Sequence, residues 1–151
     1  MTVTVVLLPR RAESEADFEA VRLIRNAGRQ WMADTREITP EQQAEFQRTL
    51  EHPVWVYETL PGEIAGYGLV RRGEDRHAYV SLAVHPAQRG CGIGTAIYRD
   101  LRRQWQHDQE VWAVIRTDNT PSIRAALAAD YVVTNRIVAT GTIALKAQVV
   151  A

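Results

Sequence analysis

Residues 84–95 read VHPAQRGCGIGT and carry the strongest structural signal in the chain. Three glycines, Gly90, Gly92 and Gly94, follow an apolar run and lead into a stretch in which apolar residues recur every four positions. This periodicity predicts a helix that begins inside the glycine cluster. Unpaired N–H groups and the dipole at a helix start attract anions, and glycines let the anion approach the backbone closely. The stretch therefore predicts a phosphate-binding turn between a strand and a helix.

Two common phosphate-binding motifs fit this stretch poorly. A P-loop carries Lys and then Ser or Thr after its last glycine, whereas Gly94 is followed by Thr95 and Ala96. The dinucleotide-binding fingerprint spaces its glycines G-x-G-x-x-G, and these run G-x-G-x-G. A glycine-rich turn that serves only close packing is an alternative that the residues leave open.

Upstream of this stretch, the sequence predicts one strand, two helices and three further strands. The strands are expected at 3–8, 54–60, 64–71 and 78–84. The first should stop at Pro9, which has no backbone N–H to donate. Capping boxes predict helix starts at Ser14 and Thr39, and the apolar face of the first helix should extend to Trp31.

Downstream, the sequence predicts a strand, a helix and two final strands. They are expected at 111–115, 120–129, 132–136 and 142–147. The continuous apolar run at 111–115 is typical of a buried strand between helices. The order β-α-α-β-β-β-α-β-α-β-β predicts an α/β fold whose mixed sheet carries helices on its faces.

The composition is that of one ordinary globular domain over residues 1–151. Hydrophobic residues make up 46% and charged residues 24% of the chain, and 18 Lys and Arg balance 18 Asp and Glu. Because the net charge is zero, the chain lacks the overall attraction that binders of nucleic acid or anionic membranes carry, so neither partner is expected. The composition favours a small-molecule enzyme or a binding module.

Cysteine and histidine usage gives no sign of a metal site. Cys91 is the one cysteine, so no internal disulfide can form, and no C-x-x-C or H-E-x-x-H spacing occurs. The apolar run at 2–8 lacks the basic segment of a signal peptide, and no stretch approaches the roughly 18 apolar residues of a membrane span. We therefore expect a cytoplasmic protein without a metal ion.

The motif Arg89-Gly90-Cys91-Gly92-Ile93-Gly94 resembles motif A, R/Q-x-x-G-x-G/A, of the GNAT superfamily of acetyl-CoA-dependent N-acetyltransferases. The strand end at 82–86 and Asn119 before a short helix resemble the sequences that flank motif A in this family, and the likeness extends over nearly the whole chain. It implies one N-acetyltransferase domain that uses acetyl-CoA as co-substrate. It also implies a mostly antiparallel central sheet of six to seven strands flanked by four helices.

The resemblance implies that acetyl-CoA binds in an opening between the strands at 78–84 and 111–115. Backbone groups at 82–84 would hold the pantetheine, those at 89–95 would bind the diphosphate, and the N–H of Val84 would stabilise the oxyanion. The residues implied in CoA binding are Leu82, Ala83, Val84, Arg89, Gly90, Cys91, Gly92, Ile93, Gly94, Thr95, Asn119 and Arg124.

The chain departs from the family where acid–base residues are common. Ala78, Val80 and Val114 stand at the usual positions of a base, and Ala126 stands at that of a tyrosine acid. Side chains left as candidates for proton transfer are the phenols of Tyr79, Tyr131 and Tyr98 and the imidazoles of His77 and His85, although each of these residues can equally be structural. If the protein is an enzyme, positioning and the oxyanion donor carry much of the rate, because a thiolate needs little help to leave. The alternative is a non-catalytic CoA-binding or sensor protein with the same fold.

The resemblance implies an acceptor site walled by the first two helices, their loop and the strand at 64–71. Asp34 and Glu37 would attract an ammonium group, and Trp31 would stack on a sugar or an apolar body. The acceptor is then a primary amine, either of an amino sugar or similar small molecule or of a protein or peptide. The residues do not distinguish these acceptors, a monomer from a homodimer, or acetyl-CoA from another acyl-CoA.

Overall fold

The computed structural model describes residues 6–32, 34–105 and 110–148. Within these residues, seven strands and four helices of at least two turns follow the predicted order. The strands are β1 (Leu8–Arg11), β2 (Val54–Leu60), β3 (Glu63–Arg72), β4 (Ala78–Val84), β5 (Val111–Arg116), β6 (Tyr131–Val133) and β7 (Thr142–Ala147). The helices are α1 (Glu15–Ala27), α2 (Pro40–Arg48), α3 (Ile93–Gln104) and α4 (Thr120–Ala128).

The strands form a single mixed sheet in the order β1-β2-β3-β4-β5-β7-β6. Strands β4 and β5 run parallel, and the other neighbouring pairs are antiparallel. Gly62 has a φ of +87° in the tight turn between β2 and β3, as the Pro61–Gly62 pair predicts. The sheet confirms the predicted α/β fold with its mostly antiparallel strands.

The predicted position of the first strand is wrong. Of the predicted span 3–8, residues 3–5 lie outside the described residues, and β1 begins only at Leu8. Pro9 therefore lies inside the strand instead of ending it. Proline is tolerated there because β1 is an edge strand that pairs with β2 alone.

The boundaries of α1 and β6 also differ from the prediction, and those of β3, β5 and α4 differ from it by single residues. Helix α1 ends at Ala27, because Gly28 caps it and a single 3-10 turn at Arg29–Trp31 follows. Trp31 is consequently 37% exposed and does not extend the buried face of α1. Asp130, with a φ of +69°, turns the chain just before β6. Strand β6 then begins one residue earlier than predicted and ends at Val133.

Helices cover both faces of the sheet because successive strand residues point to opposite sides. One core joins α1 and α2 to residues such as Val56 and Tyr67, and the other joins α3 and α4 to residues such as Tyr57. Gly68 lies under α3, where an added Cβ would come within 2.8 Å of Leu101 Cδ1. The missing side chain thus brings α3 close to the middle of the sheet.

A cluster of three charged side chains, Arg10, Asp17 and Glu58, links the edge of the sheet to the start of α1. Asp17 accepts hydrogen bonds from both Nη atoms of Arg10 at 2.7 Å and from the N–H groups of Glu13 and Ser14. Arg10 also contacts Glu58 of β2, with an Nε–Oε1 distance of 2.5 Å. The guanidinium of Arg10 holds the pKa of Asp17 well below its ordinary value.

Candidate active site

The central feature of the site is a split in the sheet between β4 and β5. The two strands pair only at their first residues, Ala78 with Val111 and Tyr79 with Trp112. Beyond Tyr79, β4 continues to Val84 while paired with β3 on its other side alone. Five residues of β4 therefore present an open edge towards β5.

The open edge of β4 presents specific backbone groups. The N–H of His85, just after the strand, donates to the carbonyl oxygen of Ala65 in β3 at 2.7 Å. Backbone groups along a strand face its two neighbours alternately. The N–H groups of Leu82 and Val84 therefore point away from β3 and into the split.

The split leads to the glycine-rich start of α3. Gly90 and Gly92 both have a φ of +81°, and a Cβ at either would meet no described atom within 4 Å. Side chains cap α1, α2 and α4, whereas no side chain of the described residues caps α3 at Gly92. The first N–H groups of α3 are therefore left for an external acceptor. A Cβ at Gly94 would lie 3.4 Å from Ala125 Cβ, so α3 and α4 approach each other closely at this glycine.

A cavity of about 420 Å³ passes through the split and connects the two faces of the sheet. On one face it is bordered by α1, by α2 and by the chain between them, including Trp31 and Asp34. On the other face it reaches Tyr98 of α3 and the start of α4 at Asn119 and Ser122. An acceptor on the first face and a molecule in the split would therefore share one space.

The chain between α1 and α2 is held by side chains of α1. Arg25 is 8% exposed and donates to the carbonyl oxygens of Asp34 and Arg36. Asn26 exchanges two hydrogen bonds of 2.9 Å with the backbone of Ile38. These bonds fix the wall of the cavity on the face that α1 and α2 cover.

The predicted acceptor residues differ in their placement. Trp31 and Asp34 line the cavity, whereas Glu37 is exposed outside its lining. Both carboxylate oxygens of Asp34 accept from Arg36, whose charge lowers the pKa of Asp34. The negative charge of Asp34 in the cavity lining is therefore already balanced by the charge of Arg36.

Tyr67 and Arg71, both from β3, are two cavity residues that the sequence reasoning did not single out. With Leu69 between them, they alternate along β3 and share one face of the strand. Tyr67 is 4% exposed, and burial raises the pKa of its hydroxyl. The alternation of side chains along β3, next to β4, is the sequence signal that could have found them.

The tyrosine candidates are already engaged. Tyr79 lines the cavity, but its hydroxyl donates to Asp75 at 2.5 Å and accepts from Arg136 at 2.8 Å. Tyr131 is 2% exposed, donates to the backbone oxygen of Tyr98 and lies outside the cavity lining, and burial raises its pKa. The hydroxyl of Tyr98 lies 2.6 Å from Ser122 Oγ, and burial raises the pKa of Tyr98 to about 12.

The remaining residues implied in CoA binding differ in their placement. Asn119 caps α4 by accepting from the N–H of Ser122, and it also lines the cavity. Cys91 and Arg124 are exposed. The Nη2 atom of Arg89 lies 3.4 Å from the position that a Cβ at Gly28 would take, so the Arg89 side chain covers the end of α1. Arg89 is thus directed to a helix C-terminus, where positive charge is favourable.

The positions of the missing acid and base contain packed apolar side chains. Ala78 and Ala126 are at most 1% exposed, and Val80 and Val114 line the cavity. Among the cavity-lining residues that the structure describes, Asp34 is the one carboxylate, and none is a histidine.

The described residues contain no group of three His, Cys, Asp or Glu side chains that could hold a metal ion. None of the described helices is long and apolar enough to cross a membrane.

The split sheet, the uncapped helix start and the cavity between them define a GNAT-like fold. Residues 18–129 match the model of the Acetyltransferase (GNAT) family. The chain belongs to this family, as its motif A predicts.

Three similar proteins illustrate the relationship. A stretch of 53 residues is 47% identical to a mycothiol acetyltransferase of Nocardia farcinica and covers 34% of this chain and 18% of that protein. The yncA protein of Salmonella typhimurium, solved with its cofactor acetyl-CoA, is 25% identical with a TM-score of 0.72, covering 95% of this chain and 94% of that one. A phosphinothricin acetyltransferase of Sinorhizobium meliloti, solved with acetyl-CoA, shares the fold at 19% identity and a TM-score of 0.78, covering 93% and 86% of the chains.

Proposed function

We propose that this protein transfers an acetyl group from acetyl-CoA to a primary amine by direct attack of the amine. The open edge of β4, which leads to the uncapped start of α3, is the observation that carries the proposal. The yncA protein, 25% identical over nearly its whole length, binds acetyl-CoA as its cofactor, which supports the same use here. A free, exposed Cys91 fits a reducing compartment such as the cytoplasm.

The residues around the split fit CoA. Leu82, Ala83 and Val84 would hold the extended pantetheine arm through their backbone, in the manner of an added strand. The backbone of 89–95 would bind the diphosphate, because its glycine conformations leave N–H groups and space for an anion. Asn119 and Arg124 would flank the cofactor at the start of α4. Asn119 also caps that helix, so its amide would have two roles.

Acetyl-CoA supplies the acetyl group as a reactive thioester. The N–H of Val84 would donate to the oxygen that gains negative charge during attack. The amine nitrogen bonds to the acetyl carbon, the carbon–sulfur bond breaks, and the sulfur leaves with the proton that the nitrogen gives up. Tyr98, with a pKa of about 12, is a weak proton donor to a thiolate whose own pKa is about 8.5. The described side chains therefore act mainly by positioning.

The acceptor would approach from the face that α1 and α2 cover. Trp31 offers an aromatic surface at the cavity wall, and Asp34 and Glu37 lie in the adjoining chain segment. A primary amine of a small molecule, such as an amino sugar or an amino acid, or of a peptide would meet the thioester through the split. The protein would perform this as a monomer or a homodimer.

The test is acetyl-CoA-dependent release of free thiol, measured against a panel of primary amines with protein concentration varied. We expect thermal stabilisation by acetyl-CoA and thiol release with at least one class of amine. Stabilisation by CoA without release for any amine would instead support a CoA-binding or sensor protein, motivated by the apolar residues at the usual acid and base positions. Absence of stabilisation at millimolar acetyl-CoA would contradict both hypotheses.

A further inference from the structure

The acceptor end of the cavity carries uncompensated positive charge. Arg25, largely buried, has as its hydrogen-bond partners the neutral oxygens of Asp34 and Arg36 backbone and of the Asn26 amide. Arg71 lines the same cavity, and no described carboxylate lies within ion-pair distance of it. Asp34, the one carboxylate in the described lining, is paired with Arg36. A cavity of this kind repels an acceptor that is only cationic.

The hydroxyl of Tyr67 faces the cavity without a hydrogen-bond partner among the described residues. Only 4% of Tyr67 is exposed, but its hydroxyl is not one of the fully enclosed polar atoms of the described residues, so the open space of the cavity reaches it. Burial raises the pKa of this hydroxyl, and the charges of Arg25 and Arg71 oppose that rise in part. The hydroxyl therefore stays protonated and can donate to a molecule bound in the cavity. An anionic oxygen would satisfy the Tyr67 hydroxyl and the Arg71 guanidinium together.

We propose that the amine acceptor also carries a carboxylate, which Arg71 binds with the Tyr67 hydroxyl as a second donor. This inference rests on the proposed acetyl transfer and names its substrate class: a small amino acid rather than a polyamine or an amino sugar without an acidic group. Arg71 lies opposite Tyr79, five residues before Val84 on β4. At about 3.3 Å per residue, the backbone of Arg71 lies about 17 Å from that of Val84 towards the beginning of β4, and the long side chain of Arg71 spans part of this distance. The substrate is therefore elongated, with its amine and its carboxylate at opposite ends.

The experiment compares matched acceptors on the full-length protein. Amino acids with one to five carbons between amine and carboxylate are each assayed beside their carboxamide, with kcat/KM expressed per neutral amine. A charge-assisted hydrogen bond predicts that the best acid exceeds its amide by about 10- to 100-fold. Arg71→Gln should remove this preference, and Arg71→Lys should restore part of it. Arg72→Gln is the control, because Arg72 lies over Trp105 on the opposite face of β3 and should retain the full preference.

The outcomes separate this inference from the transfer reaction. Equal rates for acid and amide, or a preference unchanged by Arg71→Gln, would overturn the carboxylate site while leaving acetyl transfer intact. If no amine is acetylated, calorimetry with the N-acetylated acids in the presence of CoA tests the same site. Binding that Arg71→Gln abolishes would then support the carboxylate site in a protein without turnover. Equal binding of the N-acetylated acids and their amides would overturn it.

Discussion

Replacing Gly92 by alanine separates the backbone role of this glycine from its role in anion binding. Gly92 has a φ of +81° at the start of α3, and an added Cβ would meet no described atom within 4 Å. Gly62, in the turn between β2 and β3, offers a matched control. It has a φ of +87° and equally empty surroundings, but it lies far along the chain from the glycine-rich turn.

Both alanine variants should lose similar stability. The left-handed conformation costs a non-glycine residue about 1–2 kcal/mol. In a domain of this size, each kcal/mol lowers Tm by about 2–4 °C. Only at Gly92 would the added methyl group occupy the space next to the free N–H groups of α3. The loss of one charge-assisted hydrogen bond to a phosphate, about 1.5–3 kcal/mol, corresponds to about 10- to 100-fold weaker CoA binding.

The measurements are thermal unfolding without ligand and calorimetric titration with CoA. The expected result is a comparable fall in Tm for Gly92→Ala and Gly62→Ala, together with weaker CoA binding in Gly92→Ala alone. Wild-type affinity in Gly92→Ala would refute the assignment of this turn to the diphosphate, since only the backbone penalty would remain. Weaker CoA binding in both variants would show that lost stability, and not the position of Gly92, reduces the affinity.

Three further predictions concern stability and pH. Asp17→Asn should cost about 1–3 kcal/mol at pH 7. Because the folded-state pKa of Asp17 is lowered, its contribution is present above its unfolded pKa of about 4 and is lost as the pH falls, so urea unfolding of the two proteins should converge in acid. Gly66→Ala places a Cβ 2.8 Å from the backbone oxygen of Ala83 and should cost about 1–3 kcal/mol by chemical denaturation, since β4 must shift. Finally, log kcat/KM should rise with unit slope up to the pKa of each amine tested, because the described cavity residues include no free carboxylate or imidazole; a break at one fixed pH for amines of different pKa would reveal a base on the enzyme.

The fold was predictable where local chemistry decides it. The capping boxes at Ser14 and Thr39 set the starts of α1 and α2 as predicted, and Gly92 sets that of α3. The position of the first strand was predicted wrongly because pairing with β2 brings Pro9, Arg10 and Arg11, which follow the apolar run, into the sheet. Sequence periodicity also predicted that the first helix continues past Gly28, whereas the structure has a 3-10 turn there.

The site was predictable in its backbone and less so in its side chains. Glycine spacing indicated the turn at 90–94, because conformational freedom belongs to the residue type itself. Tyr67 and Arg71 matter through their neighbours, namely Arg25 from α1 and the split beside β4. Likewise, the hydroxyl of Tyr79 is already engaged by Arg136, which lies 57 residues further along the chain. Such partnerships depend on tertiary contacts that spacing along one chain does not reveal.

The open edge of β4 also has a consequence for solubility. An unpaired strand at the rim of a sheet invites pairing with other chains and hence aggregation. Here the unpaired groups of Leu82 and Val84 lie in the interior of the sheet, between β3 and β5 and beneath helices on both faces. A folded protein is too wide to reach them, whereas a slender, unbranched molecule is not. The fold thus keeps a strand's recognition groups available while its geometry excludes other proteins from them.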